Sequence, residues 1–403
     1  MNTRSETIPS LWKNRIFQQL FWAHGLSLVG SGLSSLALGL LAHQLVGAAA
    51  SSVLGVTLAI RIAVIVVCSP WSGQIAARFG ARRVMVISDL MRCGVLTGFY
   101  FADAVWQIYA LAVLLNLGSA IFTPIYRAAI PDVVTPAQYP KAAAIGSIAY
   151  DAANILSPSM AALVIVLVGF RGNFVVDAFT FLASAALLIG LPRLAAEMPT
   201  GEKKTPVSVG HGLSAMFKGL LLRQSLFLAL QTSIAGAFVI VATVDLIKVD
   251  LRLSDTVYAW VMGAFGIGSV CGALGYSKIS TAARNGSVNG SGPIMLLALA
   301  AVGIAPHYAV LMVAWWLIGA GYSILGVRGS ELLAASSTGD ERPHIYAAHF
   351  ALSHAGWGLT YPLAGFLTTT LGFGKTAWVF AAILLGVSIP VWIAKARERS
   401  TQA

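Results

Sequence analysis

Two ionisable residues, Arg61 and Asp151, lie deep inside long apolar stretches of the sequence. An ionisable side chain in hydrocarbon costs at least about 2.5 to 3.5 kcal/mol, so each one requires a partner or a water-filled cavity. At about 1.5 Å per helical residue, both lie roughly 14 Å from an end of their stretch, near a membrane midplane. A carboxylate balanced by an arginine can exchange a proton or a cationic solute. We predict that Asp151 carries such an exchange with Arg61 as its counter-charge; the alternative is an ion pair that only holds two helices together.

Other polar side chains occur at a similar depth. Asn116, Asn154 and His24 are predicted to lie at or near the midplane, where they either line a solute path or satisfy hydrogen bonds between helices. His349 and His354 are titratable near neutral pH, and we include His354 among the candidates for proton coupling. Because these histidines are five residues apart, they share a helical face poorly, and we predict no metal site and no cofactor.

The elements that must position these residues are membrane-spanning helices. Of 403 residues, 57% are hydrophobic and 10% are charged, and the mean hydropathy is +0.80, which excludes an ordinary water-soluble protein. About 20 apolar residues form a helix that crosses the bilayer. We predict twelve such helices, at residues 17–45, 52–76, 84–101, 105–127, 142–168, 173–192, 225–247, 257–279, 292–306, 308–330, 346–370 and 375–394.

Basic residues are distributed unevenly between the two sides of these helices. The net charge is +11, and if the N-terminus is cytoplasmic, only four basic residues fall outside: Arg171, Lys248, Arg252 and Lys375. Cytoplasmic loops are enriched in Lys and Arg, so we predict an inner-membrane protein with both termini in the cytoplasm and no nucleic-acid partner. The polar linker 195–222 separates two predicted bundles of six helices, residues 1–194 and 223–403.

The connection between the second and third predicted helices, from Gly73 to Arg83, reads GQIAARFGARR. It resembles the loop signature of the major facilitator superfamily, roughly Gly-x-Leu-Ala-Asp-Arg-x-Gly-Arg-Arg. The resemblance implies an all-α membrane fold of two six-helix bundles around a central cavity, with helices two and five, and hence Arg61 and Asp151, beside that cavity. It also implies a gating role for Gly73, Arg78, Gly80, Arg82 and Arg83. Ala77 replaces the usual acidic residue of the signature, and Asp89 is a candidate substitute.

The fifth predicted helix resembles the glycine-rich pattern that antiporters of this superfamily carry there, ending in Gly-Pro-x-x-Gly-Gly. Each glycine is replaced by another small residue, and Pro158 is kept as a candidate gating residue. Small residues let helices approach closely, so the pattern favours export, although ordinary packing of an alanine-rich helix is the alternative. The segment 115–163 is similar to exporters of macrolides, siderophores and heavy metals, and residues 27–45 and 116–158 are most similar to nickel-resistance permeases. The histidine-rich tail of some such permeases is missing.

Further charged residues lie nearer the predicted helix ends. Asp89 with Arg92 and Arg328 with Glu331 are spaced three residues apart, and we interpret both as gate or packing pairs at the boundary. Asp177 and Asp245 lie near the outer ends of their helices. An outer gate would use such residues, but we interpret both as surface carboxylates.

Together these features predict a monomeric secondary transporter that exports a small solute in exchange for protons across the lipid bilayer. An amphipathic drug or siderophore and a divalent metal ion both remain open as the substrate. No loop of the type that binds nucleotide phosphates occurs, and no catalytic constellation points to an enzyme. The competing prediction is a non-transporting membrane sensor or scaffold that reuses the fold, which the loss of the acidic residue at Ala77 favours.

Overall fold

The computed structural model describes residues 11–135, 138–191, 209–278, 281–336 and 342–402. These residues are almost entirely helical, and no strand occurs among them. The first seven helices are α1 (Arg15–Val46), α2 (Ala50–Cys68), α3 (Ser72–Phe79), α4 (Ala81–Phe101), α5 (Val105–Val133), α6 (Tyr139–Ile189) and α7 (Val209–Lys218). The remaining six are α8 (Leu220–Asp245), α9 (Asp255–Lys278), α10 (Thr281–Ile304), α11 (Tyr308–Ala335), α12 (Arg342–Leu371) and α13 (Phe373–Gln402).

Every apolar stretch predicted from the sequence overlaps one or two of these helices. The fifth and sixth predicted helices are the two parts of α6, and the second continues from α2 through a short 3₁₀ turn into α3. By length and composition, seven helical segments of the described chain can cross a membrane; the first of them, Arg15–Phe79, contains both α1 and α2. Since hydrocarbon offers no hydrogen bonds to the backbone, helices that satisfy their own backbone groups are the expected solution.

Gly169 divides α6, with φ 76° and ψ 167°. This region of backbone conformation is essentially restricted to glycine, and a side chain there costs about 1 to 3 kcal/mol. We expect Gly169→Ala to lower the free energy of unfolding by this amount, measured by thermal unfolding in detergent. Gly94→Ala in α4 is the matched control: a Cβ at either position would meet open space. Because Gly94 has no positive φ, its replacement should be neutral or slightly stabilising, and equal effects of the two variants would contradict the prediction.

The chain divides into two compact units whose boundaries pass through α1, α2 and α6. Unit 1 is Met1–Ser34, Ala63–Ser157 and Arg171–Glu202, and unit 2 is Ser35–Ile62, Pro158–Phe170 and Lys203–Ala403. Unit 2 therefore contains segments of three N-terminal helices together with the C-terminal helices. The predicted division at residues 194 and 222 stays a prediction.

The core of unit 1 is formed where α1, α4, α5 and the second part of α6 meet. Leu20, Met85, Phe122 and Leu188, one from each of these helices, are buried in the same apolar cluster. Burial of large apolar side chains in one cluster holds the four helices at fixed distances. These four helices also carry the polar residues described below.

In unit 2, α9 and α11 approach each other at small residues. A Cβ at Gly268 would lie within 2.8 Å of the Trp316 carbonyl carbon, and one at Gly319 would lie 2.9 Å from that of Phe265. Small residues at helix contacts let the two backbones come together. A larger side chain at either glycine would force these helices apart.

Candidate functional site

Three charged side chains are enclosed within unit 1. Asp89 and Asp177 are 0% exposed and Arg92 is 1% exposed. Asp89 and Arg92 belong to α4, and Asp177 belongs to the second part of α6. A charge without a partner is too costly to enclose, so the surroundings of each group determine what this cluster can do.

The Arg92 guanidinium is held on every side. It forms an ion pair with Asp89, and its Nη1 donates to Ser27 Oγ of α1 at 2.8 Å. Its central carbon lies 4.7 Å from the ring centre of Phe122 and 4.3 Å from that of Phe181. Arginine is suited to such a position because its planar group can hydrogen-bond at its edges while aromatic rings cover its faces.

Hydroxyl groups supply the other hydrogen bonds to the two carboxylates. Ser184 Oγ donates to Asp89 Oδ2 at 2.6 Å. Ser34 Oγ donates to Asp177 Oδ2. Thr180 Oγ1 donates to the backbone carbonyl of Asp177 at 2.7 Å and lies 3.4 Å from Asp177 Oδ1. The described residues form no ion pair with Asp177. The cluster thus contains two carboxyl groups and one guanidinium, which is paired with Asp89.

Two glycines make room for this cluster. A Cβ at Gly30 of α1 would overlap Asp177 Oδ1, and one at Gly118 of α5 would lie 2.8 Å from Arg92 Cγ. Both distances are closer than real side-chain contacts allow, so α1 and α5 pack against the charged groups through their backbones.

This burial corrects the interpretation of the Asp89–Arg92 pair and of Asp177. The ion pair expected from the three-residue spacing is present, but it is enclosed within unit 1 rather than placed at a boundary. Asp177 was predicted to be a surface carboxylate near the outer end of its helix, and this prediction is wrong. The reason is that α1 presents Gly30 and Ser34 to this side of α6, which removes water and supplies a hydroxyl donor.

His24 and Asn116 also lie in unit 1 and are both buried. The His24 ring is stacked on Tyr126 with 3.9 Å between ring centres, and no described residue forms a hydrogen bond with its Nδ1. Asn116 Nδ2 donates to the Ala112 carbonyl at 2.7 Å. Asn116 therefore bonds within its own helix, in contrast to the interhelical bond considered from the sequence.

A second polar arrangement lies in unit 2, where the start of α2 meets the end of α8. The Ser51 backbone N–H lies 3.2 Å from Asp245 Oδ1 and 3.4 Å from Oδ2, and Ser51 Oγ donates to the Val241 carbonyl at 2.8 Å. The N-terminus of a helix attracts negative charge, so the Asp245 carboxylate stabilises this junction. Asp245 is only 5% exposed, and its prediction as a surface carboxylate is also wrong.

The same part of α2 contacts α12. Ser52 Oγ lies 2.7 Å from Thr369 Oγ1, and it also donates to the Gly365 carbonyl at 3.2 Å. A Cβ at Gly55 would lie 2.5 Å from the Tyr361 carbonyl oxygen, so the two backbones are in direct contact. We call the contacts of Ser51, Ser52 and Gly55 with α8 and α12 the seam.

Arg61 lies two turns beyond the seam on α2 and is partly exposed. Its neighbour Ile62 packs against α12, since a Cβ at Gly358 would lie 3.5 Å from Ile62 Cγ2, and His354 lies one helical turn before Gly358. The His354 ring is stacked on Phe350 with 3.7 Å between ring centres, and its Nδ1 lies 2.9 Å from the Phe350 carbonyl. These contacts place two of the predicted coupling residues in the same part of unit 2.

The side chains of Asp151, Asn154 and Pro158 lie outside the described part of the structure. Their backbone belongs to α6. The Arg61–Asp151 pair therefore stays a prediction.

The predicted gate residues of the glycine and arginine loop all lie on α3, on α4 or between them: Gly73, Arg78, Gly80, Arg82 and Arg83. Gly80 lies between the end of α3 and the start of α4. Its φ is 87°, a conformation that favours glycine. Arg82 Nη1 donates to the Leu191 carbonyl at 2.5 Å, just beyond the end of α6. A basic side chain at a helix C-terminus is favourable because the free carbonyls there carry partial negative charge.

The second ion pair predicted from a three-residue spacing is also present. Arg328 Nη1 lies 3.2 Å from Glu331 Oε2, and Tyr276 Oη donates to the same carboxylate oxygen at 2.8 Å. Because Tyr276 belongs to α9, this pair also links α9 to α11.

Sequence reasoning missed the polar residues that surround the buried charges. Ser27, Ser34, Ser184 and Asn173 were not identified, although the first two share one face of α1 at a seven-residue spacing. Serine is common in membrane helices as a packing residue, so its type alone gives no sign of a charged partner. The presence of three charged residues at 89, 92 and 177 was the available signal.

Apolar helices that enclose a charged cluster and meet at hydroxyl and glycine contacts define a polytopic helical membrane protein. The chain belongs to the Major Facilitator Superfamily, because the model of that family matches residues 20–244. This membership confirms the predicted fold class and the predicted superfamily.

Relatives and solved structures agree with this assignment. An uncharacterized MFS-type transporter, YfiS of Bacillus subtilis (strain 168), is 25% identical over 169 residues, which cover 41% of this chain and 40% of that protein. A bacterial homolog to the human lysosomal transporter Spinster has a TM-score of 0.71 at 11% identity, covering 94% of this chain and 96% of the other. A bacterial homologue of the iron transporter ferroportin has a TM-score of 0.69 at 13% identity, covering 94% and 98%. At these low identities the two solved structures establish the fold alone. Members of the Major Facilitator Superfamily are transporters, so the family membership confirms the prediction that the chain is not an enzyme.

Proposed function

We propose that this protein is a secondary active transporter of the inner membrane that exports a small solute in exchange for protons by alternating access. The observation that carries the proposal is the seam, where α2 meets α8 and α12. Alternating access requires a contact between N-terminal and C-terminal helices that closes one end of the path and can open. With a cytoplasmic N-terminus, the seam lies at the outer ends of these helices, since α1 and α8 end there and α2 begins there.

The chemistry of the seam suits a gate that opens. It consists of hydroxyl and backbone hydrogen bonds, one of them to the Asp245 carboxylate, together with close contacts at glycine. A neutral hydrogen bond contributes about 0.5 to 1.5 kcal/mol and one to a charged group about 1.5 to 3 kcal/mol. A few bonds of this strength can be exchanged for bonds to water when the helices separate. Export, rather than uptake, is supported by the small-residue pattern of α6 that resembles antiporters.

Asp151 is the proposed proton carrier and Arg61 its counter-charge, with His24, His354, Asn116 and Asn154 as further candidates along the path. An amphipathic organic solute needs an apolar cavity with a few polar groups, whereas a divalent metal needs several converging ligands. Residue chemistry favours the organic solute, and the resemblance to nickel-resistance permeases favours the metal. The protein is proposed to act as a monomer with both termini in the cytoplasm.

Survival of an efflux-deficient bacterium that expresses the chain tests this function and the substrate class. The panel contains nickel, cobalt, arsenicals, macrolides, tetracyclines and iron starvation. We expect protection against one class, and we expect Asp151→Asn to abolish it while the protein remains folded in the membrane. Asp132→Asn, at an exposed carboxylate of α5, is the matched control and should protect fully. Full protection by Asp151→Asn would exclude the coupling role.

The second candidate is a non-transporting sensor or scaffold, favoured by Ala77 in place of the usual acidic residue. Proteoliposomes distinguish the two functions. A proton-coupled transporter changes the lumenal pH when its solute is added, and a scaffold leaves it unchanged.

A further inference from the structure

We propose that Asp177 binds a proton in an enclosed position between Ser34, Thr180 and the backbone of Gly30, separate from the proposed carrier Asp151. This proposal adds a second protonatable group to the proposed transporter. The protonation of Asp177 itself does not depend on transport, so it can be tested in purified protein.

Charge balance is the first argument. Asp89 and Asp177 are both 0% exposed, and the Arg92 guanidinium forms its ion pair with Asp89. Asp177 therefore lacks a cation in direct contact within the described chain. An ionised carboxylate enclosed without such a cation is strongly unfavourable, so a bound cation must neutralise it.

The packing around Asp177 favours a proton over a larger ion. A Cβ at Gly30 would overlap both Asp177 Oδ1 and Thr180 Oγ1, so the backbone of α1 lies directly against the carboxyl group. Ser34 Oγ donates to the opposite oxygen, Oδ2. A metal cation needs room for itself within a shell of oxygen ligands. A proton needs no additional space.

A second observation, independent of charge balance and packing, is that the side-chain oxygen of Asn173 has no hydrogen-bond partner among the described residues. Asn173 lies one helical turn before Asp177 and is 0% exposed, and its Oδ1 has no hydrogen-bond partner among the described residues. Asn173 Nδ2 donates to the Leu33 carbonyl at 2.6 Å, and the next residue, Ser34, bonds Asp177. Asn173 and Asp177 thus face the same turn of α1. A proton on Asp177 places a donor on the same side of α6 as Asn173 Oδ1, which has none among the described residues.

Few other titratable groups face Asp177. Among the described residues, the titratable groups on this side are Asp89 and Arg92 of α4, with His24 of α1 on the far side of Arg92. Helix α5 contributes the ring of Phe122, which lies against Arg92. Arg92 is the cation of this cluster, and its ion pair with Asp89 already balances its charge. The proton on Asp177 therefore leaves the whole cluster neutral when His24 is uncharged.

Infrared spectroscopy of the purified full-length protein in lipid nanodiscs at pH 7 tests the proposal. The C=O stretch of a protonated buried carboxyl group should be present in the native protein and lost in Asp177→Asn, which keeps the shape of the side chain. Asp132→Asn and Asp151→Asn should retain it. Ser34→Ala removes the donor to Asp177 Oδ2 and should shift the band without abolishing it, which provides a second measurement if Asp177→Asn does not fold. A band unchanged in both Asp177→Asn and Ser34→Ala, or absent from the native protein, would overturn the proposal.

Sodium provides a further arm of the experiment. We expect equal thermal unfolding temperatures in sodium chloride and in choline chloride of the same ionic strength. A rise in the unfolding temperature that is specific to sodium and is lost in Asp177→Asn would show that the site binds a metal cation instead of a proton. That result would overturn the proposal. If survival assays exclude proton-coupled export while the infrared band behaves as expected, the proposed function fails and the proton site stands.

Discussion

Replacing Arg92 by methionine should lower the free energy of unfolding by about 3 to 5 kcal/mol, because removal of one partner of a buried ion pair leaves the other charge enclosed and unpaired. Among the described residues, Asp89 would keep only the hydrogen bond from Ser184, and the rings of Phe122 and Phe181 would lose their contacts with the guanidinium. Methionine retains much of the apolar length of arginine, so the effect reports the lost charge and hydrogen bonds more than lost volume. Thermal and denaturant unfolding in detergent measures it.

Two further variants test the cause of this loss. Arg83→Met, at an exposed position of the same helix, should change stability little. The double variant Asp89→Leu with Arg92→Met removes both charges and should recover part of the loss, since two apolar groups can replace a buried ion pair. A stability of Arg92→Met within about 1 kcal/mol of the native protein would show that the buried pair is not structural.

A disulfide across the seam should stop transport almost completely. Ser52 Oγ and Thr369 Oγ1 are 2.7 Å apart, so cysteine sulfur atoms at these positions lie within reach of an S–S bond of about 2.05 Å. Ser52→Cys and Thr369→Cys are introduced into a chain whose Cys68, Cys93 and Cys271 are serine. Oxidation should then hold α2 against α12, and reduction should restore transport of the solute identified in the survival panel.

Each single cysteine variant is the control, and oxidation should leave its transport unchanged. Loss of free thiols in the double variant verifies that the bond has formed. Full transport by the oxidised, crosslinked protein would show that the seam need not open, and it would remove the principal support for alternating access at this position.

Helix positions were accessible from the sequence because the bilayer imposes a simple rule. Apolar runs of sufficient length must form helices when hydrocarbon cannot satisfy the backbone. The stretch predicted at 105–127 became α5, Val105–Val133, and the helix predicted at 308–330 became α11, Tyr308–Ala335. Errors of a few residues at the ends are expected, since composition changes gradually where a helix leaves the membrane.

Local spacing also predicted two ion pairs correctly. Residues three apart on a helix are neighbours whatever surrounds the helix, so Asp89 with Arg92 and Arg328 with Glu331 could be paired from the sequence. The spacing could not indicate that the first pair is enclosed and the second is partly exposed. That difference depends on which helices cover each pair.

The sequence by itself determined the class of this protein, the helices and their local pairs, because these follow from hydropathy and from the geometry of a single helix. Only the tertiary structure decided the environment of Asp177 and Asp245, which the sequence placed at the surface and the fold buries. The partners that enclose them, Ser34 and Ser51, are distant in the chain and ordinary in type. Whether a carboxyl group near a helix end meets water or a serine on another helix is decided when the helices pack together.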